Sequence, residues 1–426
     1  MCYTCGMRND VSSFLANHHF PVDAADYDIV DALRADMDAR LGGGAGWQDM
    51  TRTWRLPPAV PPKNRSVIVI DAGGTNFRSC LVTFGSDGTP VISEFKRGVM
   101  PGVERELSRR EFFAAIADNI AYLKDRADCI GFCFSYSMLI TKDGDGIPRS
   151  FSKEVKAREV VGVPVGAALR ETLEARGWKR GLRVSLLNDT VAALLAGAAG
   201  SGRYSSYIGF ILGTGMNGAY IQPAWGDEGR QIVVCENGKF GAFSRSDFDH
   251  ALDAKSLHPG EYLLEKCCSG GYLGPLGLEI LHTAAADGLV SADCAAALTQ
   301  IPSLSLVVLD EFLRAPERVQ NVIAACCANA DDRAVLHELL DALIERCAGY
   351  AASILAACLA QGGAGADEPV CILCNGTTFY KTYRLRERIA AYLARYAGGI
   401  RYELVQKDDD ITLGTAIAGV ATSLVY

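Results

Sequence analysis

The sequence predicts an α/β protein built from two lobes that face each other across a cleft. Predicted strands alternate with predicted helices along most of the 426 residues, as they do in α/β layer architectures. A proline-rich linker at residues 56–63 marks a domain boundary. A strand–turn–strand unit also occurs twice, at residues 67–76 and 207–217, and two copies of one unit suggest two halves of similar fold.

The first block of elements lies on both sides of this linker. A charged helix is predicted over residues 11–41, and three glycines at 42–44 end it. After the linker, an apolar run of valine and isoleucine at 67–70 predicts the first strand. The other strands of this block are predicted at 78–84, 90–95, 129–134 and 182–187, and its other helices at 109–125 and 163–176.

The second block begins with a predicted helix at residues 189–199. Its strands are predicted at 206–212, 216–222, 230–235, 370–374 and 400–405. Its further helices are predicted at 260–284, 304–313, 334–360, 381–396 and 412–425. The longest uncharged stretch, residues 347–366, is rich in alanine and glycine, and we interpret it as a buried helix followed by a loop and not as a membrane span.

The composition excludes several classes of protein. With 49% hydrophobic and 22% charged residues, the chain is neither disordered nor collagen-like. A net charge of −8 argues against a protein that coats nucleic acid, so an anionic ligand must be met by local groups. Many of the 15 cysteines lie in apolar runs, as expected of small core residues in a reducing cytoplasm. The N-terminal residues predict no secretory signal.

A glycine-rich turn follows the first predicted strand, and its residues are Asp71, Gly73, Gly74, Thr75, Asn76 and Arg78. Glycines let backbone N–H groups approach phosphate oxygens, and a carboxylate at the end of the strand could hold a metal against those phosphates. The turn is not a Walker loop, because it has no Gly-Lys-Ser/Thr, and a strand follows it where a dinucleotide fingerprint has a helix. The alternative interpretation is a simple hairpin turn.

Two further features fit phosphoryl transfer. The turn Gly213-Thr214-Gly215 repeats the first one, and two such turns can enclose a polyphosphate from both sides. Asp189 comes where a predicted strand ends and a helix begins. It is either the N-cap of that helix or a general base that accepts a proton from a hydroxyl nucleophile, and the two roles do not exclude each other.

Four polar clusters interrupt apolar surroundings, at residues 134–137, 152–153, 235–238 and 264–266. A polyhydroxylated ligand needs such groups, because carboxylates and amides bridge adjacent hydroxyls and a lysine can approach a transferred phosphoryl group. Taken singly, each cluster is more typical of surface or helix-cap residues.

In their order along the chain, these segments resemble the eukaryotic-type hexokinase family, which includes glucokinase. The resemblance covers nearly the whole chain and lies in segments 71–78, 131–137, 151–157, 187–191, 213–217, 248–274 and 375–381. It implies a two-lobed actin-like (ribonuclease H-like) fold, each lobe a mixed β-sheet flanked by helices. The small lobe would comprise residues 58–188 with a returning helix at 412–426, and the large lobe residues 1–57 and 189–411.

The resemblance also implies a role for each matching residue. Asp189 would take the proton from the sugar 6-hydroxyl, Lys153 and Thr214 would stabilise the transferring phosphoryl group, and Asp71 would hold Mg2+ through water. The implied sugar ligands are Ser135, Ser152, Lys153, Asn188, Asp189, Asn217, Glu236 and Glu265. The implied ATP ligands are Asp71, Gly73, Gly74, Thr75, Asn76, Arg78, Gly213, Thr214, Gly215, Gly376 and Thr377.

The chain departs from the family pattern at several positions. Ser152 stands where the family usually has threonine, and Val234 replaces an asparagine two positions before Glu236. Three departures concern the nucleotide side: Asn375 replaces an aspartate, residues 409–414 replace a Gly-Ser-Gly-Lys-Gly run, and Glu345 stands in place of a small hydroxyl residue. These departures leave the identity of the phosphoryl donor open.

We expect an ATP-dependent hexokinase that acts on glucose or a related hexose, with sugar binding closing the two lobes. It is expected in the cytoplasm, as a monomer or homodimer, without nucleic-acid or membrane partners. The alternatives are a catalytically weak hexokinase-like sugar sensor or regulator, a kinase for an amino sugar such as N-acetylglucosamine, or another actin-fold ATPase. The complete set Asp71, Lys153, Asp189 and Thr214 argues against a sensor, since a pure binder needs no transfer base.

Overall fold

The computed structural model describes residues 7–21, 27–151, 155–199, 203–363, 365 and 367–421. The strands of this part of the chain are β1 (Thr51–Arg52), β2 (Arg65–Gly73), β3 (Asn76–Phe84), β4 (Pro90–Val99), β5 (Cys129–Phe134), β6 (Met138–Ile140), β7 (Gly146–Pro148), β8 (Arg183–Leu187), β9 (Ser206–Leu212), β10 (Met216–Gln222), β11 (Gln231–Val234), β12 (Val370–Asn375) and β13 (Tyr402–Val405).

The α-helices of the same residues are α1 (Asn9–Asn17), α2 (Tyr27–Leu41), α3 (Arg109–Asn119), α4 (Val165–Ala175), α5 (Asp189–Ala198), α6 (Asp247–Lys255), α7 (Leu263–Cys268), α8 (Gly270–Ala286), α9 (Ala292–Leu298), α10 (Leu306–Arg314), α11 (Val322–Cys326), α12 (Ala330–Gly362), α13 (Thr377–Lys381), α14 (Leu385–Tyr396) and α15 (Asp410–Val420).

Two mixed β-sheets organise the fold. The five-stranded sheet has the order β4-β3-β2-β5-β8, in which β2, β5 and β8 are parallel and the β2–β3–β4 neighbours antiparallel. The six-stranded sheet has the order β1-β11-β10-β9-β12-β13, with β9, β12 and β13 parallel. Mixed sheets with flanking helices agree with the predicted fold class, whereas the exact lobe boundaries stay a prediction.

The repeated strand–turn–strand unit predicted from the sequence is present in both sheets. β2 and β3 form an antiparallel hairpin that ends at the pair Gly73 and Asn76. β9 and β10 form the second hairpin, which ends at the pair Leu212 and Met216. Each glycine-rich turn is therefore held at the end of two hydrogen-bonded strands.

Two long helices predicted from the sequence are each divided in two. The helix predicted at 11–41 is α1 and α2, and α1 ends where His19 takes a left-handed conformation (φ 55°) and the Phe20 N–H bonds back to the Leu15 carbonyl. The helix predicted at 260–284 is α7 and α8, with extended backbone at Ser269. The helix predicted at 381–396 is α14, which begins after a left-handed Arg384, and the short helix α13 before it was not predicted.

The sequence prediction also missed the shortest elements. β1, β6 and β7 have only two or three residues each, too few for an alternating pattern. The short helices α6, α9 and α11 were likewise not predicted, although Ser246, Ser291 and Asn321 cap their N-termini with side-chain oxygens. The last residues of the helix predicted at 412–425 lie outside the described residues.

One described helix, α12, is long and apolar enough to cross a membrane by length and composition. Its most apolar 18-residue window has a mean hydropathy of 1.4 and is entirely buried within the fold. The charged side chain of Arg346 is fully buried on the same helix, where its guanidinium donates two hydrogen bonds of 2.7 and 2.8 Å to Asp249. This burial explains the apolar composition through packing in the protein core.

The two sheets are joined through a pair of helices, α5 and α15. α15 packs on β2 and β5 of the five-stranded sheet, and α5 packs on β9 and β12 of the six-stranded sheet. The helices touch at Gly414, where an added Cβ would lie less than 3.0 Å from the Ala192 carbonyl oxygen. Glycine is therefore required at this crossing, because any side chain would push α5 and α15 apart.

Glycines set the spacing of both helices from their sheets as well. A Cβ at Gly209 on β9 would lie less than 3.0 Å from the Thr190 carbonyl oxygen of α5. A Cβ at Gly131 on β5 would lie equally close to the Thr415 carbonyl oxygen of α15. The four layers β9, α5, α15 and β5 are thus packed backbone against backbone.

We predict that Gly414→Ala lowers the stability of the protein by about 3 kcal/mol or more, because the new methyl group meets backbone and not a movable side chain. Gly98→Ala is the matched control, since Gly98 has ordinary φ and its added Cβ would meet only Asn119 Oδ1 at 4.0 Å. The measurement is urea unfolding of both variants beside the parent chain. Equal stability of the two variants would contradict the packing argument.

Candidate active site

The first glycine-rich turn connects β2 to β3 and carries a carboxylate at its base. Asp71 and Arg78 are paired across the hairpin, and Arg78 Nη1 donates to Asp71 Oδ2 at 2.9 Å. Burial raises the pKa of the Asp71 carboxyl group, and the charge of Arg78 opposes this rise. Gly74 has a φ of 56°, in the left-handed region that glycine adopts most readily, so glycine suits this turn.

This turn lies directly against the first predicted sugar segment. A Cβ at Gly73 would lie 2.9 Å from the Ser135 Cβ, and the Ser135 N–H donates to the Ala72 carbonyl at 3.1 Å. Tyr136 adds a second hydrogen bond between the segment and the turn, since its hydroxyl donates to the Gly74 carbonyl at 3.1 Å. The structure therefore brings Ser135 to the edge of the predicted phosphate site.

The second turn, Gly213–Gly215, is held by the start of α8. The N–H groups of Gly270 and Gly271 donate to the carbonyls of Gly213 and Thr214 at 2.8 and 3.0 Å. The turn's own carbonyls are therefore directed into the protein. Thr214 is exposed on this turn.

The predicted adenosine motif adjoins this second turn. Gly376 has a φ of 118°, and a Cβ there would lie less than 3.0 Å from the Leu212 carbonyl oxygen. The Thr378 hydroxyl donates to the Gly213 carbonyl at 2.9 Å. Gly376 and Thr377 are thus brought beside Gly213 although more than 160 residues separate them in the sequence.

Two of the predicted sugar ligands, Asn217 and Glu236, form a reciprocal pair. Asn217 Nδ2 donates to Glu236 Oε1 at 2.8 Å, and the Glu236 N–H donates to Asn217 Oδ1 at 2.9 Å. Glu236 has a φ of 57°, which turns its side chain away from the direction of β11. Burial raises the pKa of the Glu236 carboxyl group to about 7, with smaller contributions from Lys239, which lowers it, and from Asp49 and Asp189, which raise it.

Glu265, predicted like Asn217 and Glu236 to bind the sugar, lies between two glycines. Its Oε2 accepts the Met216 N–H at 3.0 Å and would be 2.9 Å from a Cβ at Gly215. A Cβ at Gly238 would lie 3.0 Å from the Glu265 Cβ. Burial raises the pKa of this carboxyl group too. The absence of side chains at both glycines thus makes room for the glutamate beside Asn217 and Glu236.

Asp189 is not the N-cap of α5. That position belongs to Asn188, whose Oδ1 accepts the Val191 N–H at 3.0 Å and the Thr190 hydroxyl at 2.9 Å. The capping interpretation of Asp189 was therefore wrong by one residue. One Asp189 oxygen accepts the Thr190 N–H at 2.8 Å. Burial raises the pKa of Asp189 to about 6, and repulsion from Asp71 and Asp410 adds to the rise.

The cleft therefore holds several carboxylates that act on one another electrostatically. Asp189 is affected by Asp71 and Asp410, and Glu236 is affected by Asp189. Among the described residues, no three or more histidine, cysteine or acidic side chains converge to form a complete metal site. The set nevertheless fits Mg2+, which proteins usually hold through one or two carboxylates while water and substrate phosphates fill the other positions.

Ser152 and Lys153, both predicted to bind the sugar, lie outside the described residues, so their roles stay predictions. Thr75 and Asn76 are exposed at the tip of the first turn. Glu345, expected near the nucleotide, is buried and engaged by α14: its carboxylate accepts the Tyr392 hydroxyl at 2.6 Å and faces Arg388 Nε at 3.3 Å. Glu345 therefore has a structural partner that the sequence did not indicate.

Two residues near the site were not recognised as functional from the sequence. Asn375 Nδ2 lies 2.8 Å from each carboxylate oxygen of Asp410, and Asp410 Oδ1 also accepts the Ile411 N–H at 2.8 Å, so two departures from the family pattern are partners of each other. Arg55 is buried beside a cavity of about 20 Å3 that Asn188 and Glu236 also line, and its Nη2 donates to Ser185 Oγ at 2.7 Å. An isolated arginine after β1 has no sequence motif that would have identified it.

Comparison with known proteins identifies the family. Two family models described as hexokinase match residues 11–199 and 207–421. Hexokinase-1 of Arabidopsis thaliana is 32% identical over 301 residues, which cover 64% of this chain and 60% of the plant protein. Hexokinase-2 of Oryza sativa subsp. japonica is 29% identical over 290 residues, 62% of this chain and 58% of its own length. The chain thus spans less than two thirds of these relatives.

Solved structures show the same fold. The hexokinase from Schistosoma mansoni complexed with glucose superimposes with a TM-score of 0.79 at 23% identity, over 96% of this chain and 98% of the other. A second crystal structure of a hexokinase gives a TM-score of 0.76 at 21% identity. These similarities confirm the two-lobed actin-like fold, and the two matched hexokinase regions together cover most of the chain. The chain belongs to the hexokinase family.

Proposed function

We propose that this chain transfers the γ-phosphoryl group of Mg-ATP to the 6-hydroxyl of glucose or a related hexose. The observation that carries the proposal is the position of Asp189. Its buried carboxylate begins α5 in the cleft, within electrostatic reach of Asp71 at the first turn, Asp410 near the second, and Glu236 on the sugar side. A general base in this reaction must stand between the sugar hydroxyl and the phosphates.

The raised pKa of Asp189 suits this role. With a pKa of about 6, the carboxylate is largely ionised at neutral pH, yet it is a stronger base than an exposed aspartate. The hydrogen bond from the Thr190 N–H holds one carboxylate oxygen, which leaves the other free to accept the proton of the hydroxyl. Orientation of the nucleophile is the main demand of phosphoryl transfer, since the transition state is loose.

The sugar would be bound through hydrogen bonds to its hydroxyl groups. Asn217, Glu236 and Glu265 lie together on one side, and their amide and carboxylate oxygens are acceptors for hydroxyl donors. Ser135 and Asn188 come from the strands and turns of the five-stranded sheet. We propose that the sugar bridges these two groups and thereby favours closure of the cleft, which excludes water as a competing acceptor.

The nucleotide phosphates would lie between the two glycine-rich turns. Asp71 would hold the magnesium ion through water, and bound magnesium would neutralise the charge that develops on the phosphates. Lys153 is assigned to the transferring phosphoryl group by the family resemblance alone. Family membership implies sugar and nucleotide substrates, whereas ATP as the specific donor belongs to the proposal.

The cellular setting is also proposed. All 13 cysteines among the described residues are free thiols and 12 of them are buried, which supports the expectation of a reducing cytoplasm. We propose a monomer or homodimer without nucleic-acid or membrane partners, on the balance of charge given by the sequence.

We predict that Asp189→Asn lowers kcat by about 10²- to 10⁴-fold while leaving sugar affinity within a few-fold of the parent, because the amide keeps the size of the side chain but accepts no proton. The measurement is ADP release with Mg-ATP across a panel of hexoses and amino sugars, with glucose binding followed by calorimetry. A loss of less than tenfold would reject Asp189 as the base. Sugar binding by the parent without turnover would favour the alternative function, a hexokinase-like sugar sensor or regulator.

We predict that kcat/KM of the parent falls about tenfold or more per pH unit below an apparent pKa near 6, because the base must be ionised to act. An aspartate with its ordinary pKa of 3.8 would keep full activity down to about pH 5. The pH profile of kcat/KM for the preferred hexose distinguishes a base with a pKa near 6 from one with the ordinary pKa of 3.8. If kcat/KM of Asp189→Asn falls in the same way with decreasing pH, the titrating group is not Asp189.

A further inference from the structure

Three charged side chains form a chain of contacts beside Glu236. Asp49 Oδ2 accepts a hydrogen bond from Lys239 Nζ at 2.8 Å and faces Arg149 Nη1 at 3.6 Å. Asp49 is only 13% exposed, whereas Arg149 is 48% exposed. Asp49 therefore joins two cations that come from different parts of the fold.

One end of this chain of contacts is the turn that carries Glu236. Lys239 lies three residues after Glu236, and its N–H donates to the Glu236 carbonyl at 3.1 Å. The segment 48–50 holds the same turn, because the Asp49 N–H donates to the Cys235 carbonyl at 3.1 Å and Asn237 Nδ2 donates to Gln48 Oε1 at 2.6 Å. Asp49 is thus part of the support of Glu236.

The other end lies on the far side of the cleft. Arg149 directly follows β7, and its N–H donates to the Ser137 carbonyl at 2.9 Å, which ties it to the segment that follows β5 of the five-stranded sheet. Arg149 also lies two positions before residues 151–157, the second segment that resembles a sugar-binding region. The Arg149–Asp49 pair therefore crosses from one predicted sugar segment to the turn that bears Glu236.

We propose that Asp49 is a positioning residue for sugar binding, which links Arg149 on one side of the cleft to Lys239 and the Glu236 turn on the other. The inference rests on the proposed function of this site. When a hexose lies between the two segments, the Arg149–Asp49 attraction stabilises the closed arrangement that holds it. Lys239, also attracted to Asp49, keeps the Glu236 turn in the orientation that the sugar meets.

The expected effect is moderate, because Arg149 is half exposed to solvent. Exposed ion pairs contribute about 0.2–1 kcal/mol, and with partial burial of Asp49 we expect the upper end, about three- to fivefold in affinity. Surface attractions also weaken as salt rises. The link should therefore change sugar affinity and its salt dependence more than it changes kcat, since none of the three side chains touches the transferring group.

The test is a double-mutant cycle of Asp49→Asn and Arg149→Gln, with glucose KM, kcat and calorimetric Kd measured at 20 and at 500 mM salt. Each single variant should raise KM and Kd about three- to fivefold at low salt with kcat nearly unchanged. The double variant should resemble a single one. Added salt should weaken glucose binding by the parent, but hardly by the variants. Asp118→Asn, which breaks an aspartate–arginine pair within the five-stranded lobe, is the matched control.

Unchanged KM and Kd in both single variants would overturn the inference. The inference would also be overturned if the effects of the two substitutions multiplied, or if Asp118→Asn raised KM as much as they do. Either result would indicate general destabilisation. If the parent binds glucose but does not phosphorylate it, the proposed function fails while the Kd values still decide this inference. If the parent binds no sugar at all, both fail.

Discussion

The close packing of β9, α5, α15 and β5 is the constraint on which the rest of the structure depends. Glycines at 131, 209 and 414 let backbone meet backbone, so the two sheets are held at a fixed spacing. The contact between Gly414 and Ala192 lies about one turn into each helix, so the first residues of α5 and α15 lie together. Those first residues are Asp189 and Asp410, and the packing of small residues thereby forms one wall of the cleft.

The electrostatics of the cleft follow from this packing. Carboxylates that the fold buries lose hydration, and their pKa values rise at Asp71, Asp189, Glu236, Glu265 and Asp410. Burial outweighs the neighbouring cations, although Arg78 opposes the rise at Asp71 and Lys239 opposes the rise at Glu236. The hydroxyl donors of a sugar and the positive charge of a phosphate-bound cation are the ligands that such a site accepts most favourably.

Much of the fold and the site could be predicted from local pattern. The strands that flank the two glycine-rich turns are apolar and regular, and Gly74 favours the left-handed backbone of the first turn. Helix boundaries were harder to predict, because left-handed residues that are not glycine follow α1 at His19 and precede α14 at Arg384. The hydrogen bond between Asn375 and Asp410 could not be predicted from the sequence either, because 35 residues separate these two departures from the family pattern.

By itself, the sequence determined the chemistry that is available: two phosphate-type turns, an aspartate at the start of a helix, and a set of polar groups suited to a sugar. Those are local properties, set by residue type and by the backbone freedom of glycine. Only the tertiary structure decided that Asn188 caps α5 and leaves Asp189 free, that Glu345 is committed to α14, and that Asp49 joins Arg149 to Lys239. The Asn188 cap depends on the backbone conformation at the start of α5, and the Glu345 and Asp49 pairings depend on distances between elements far apart in the chain, which local pattern cannot encode.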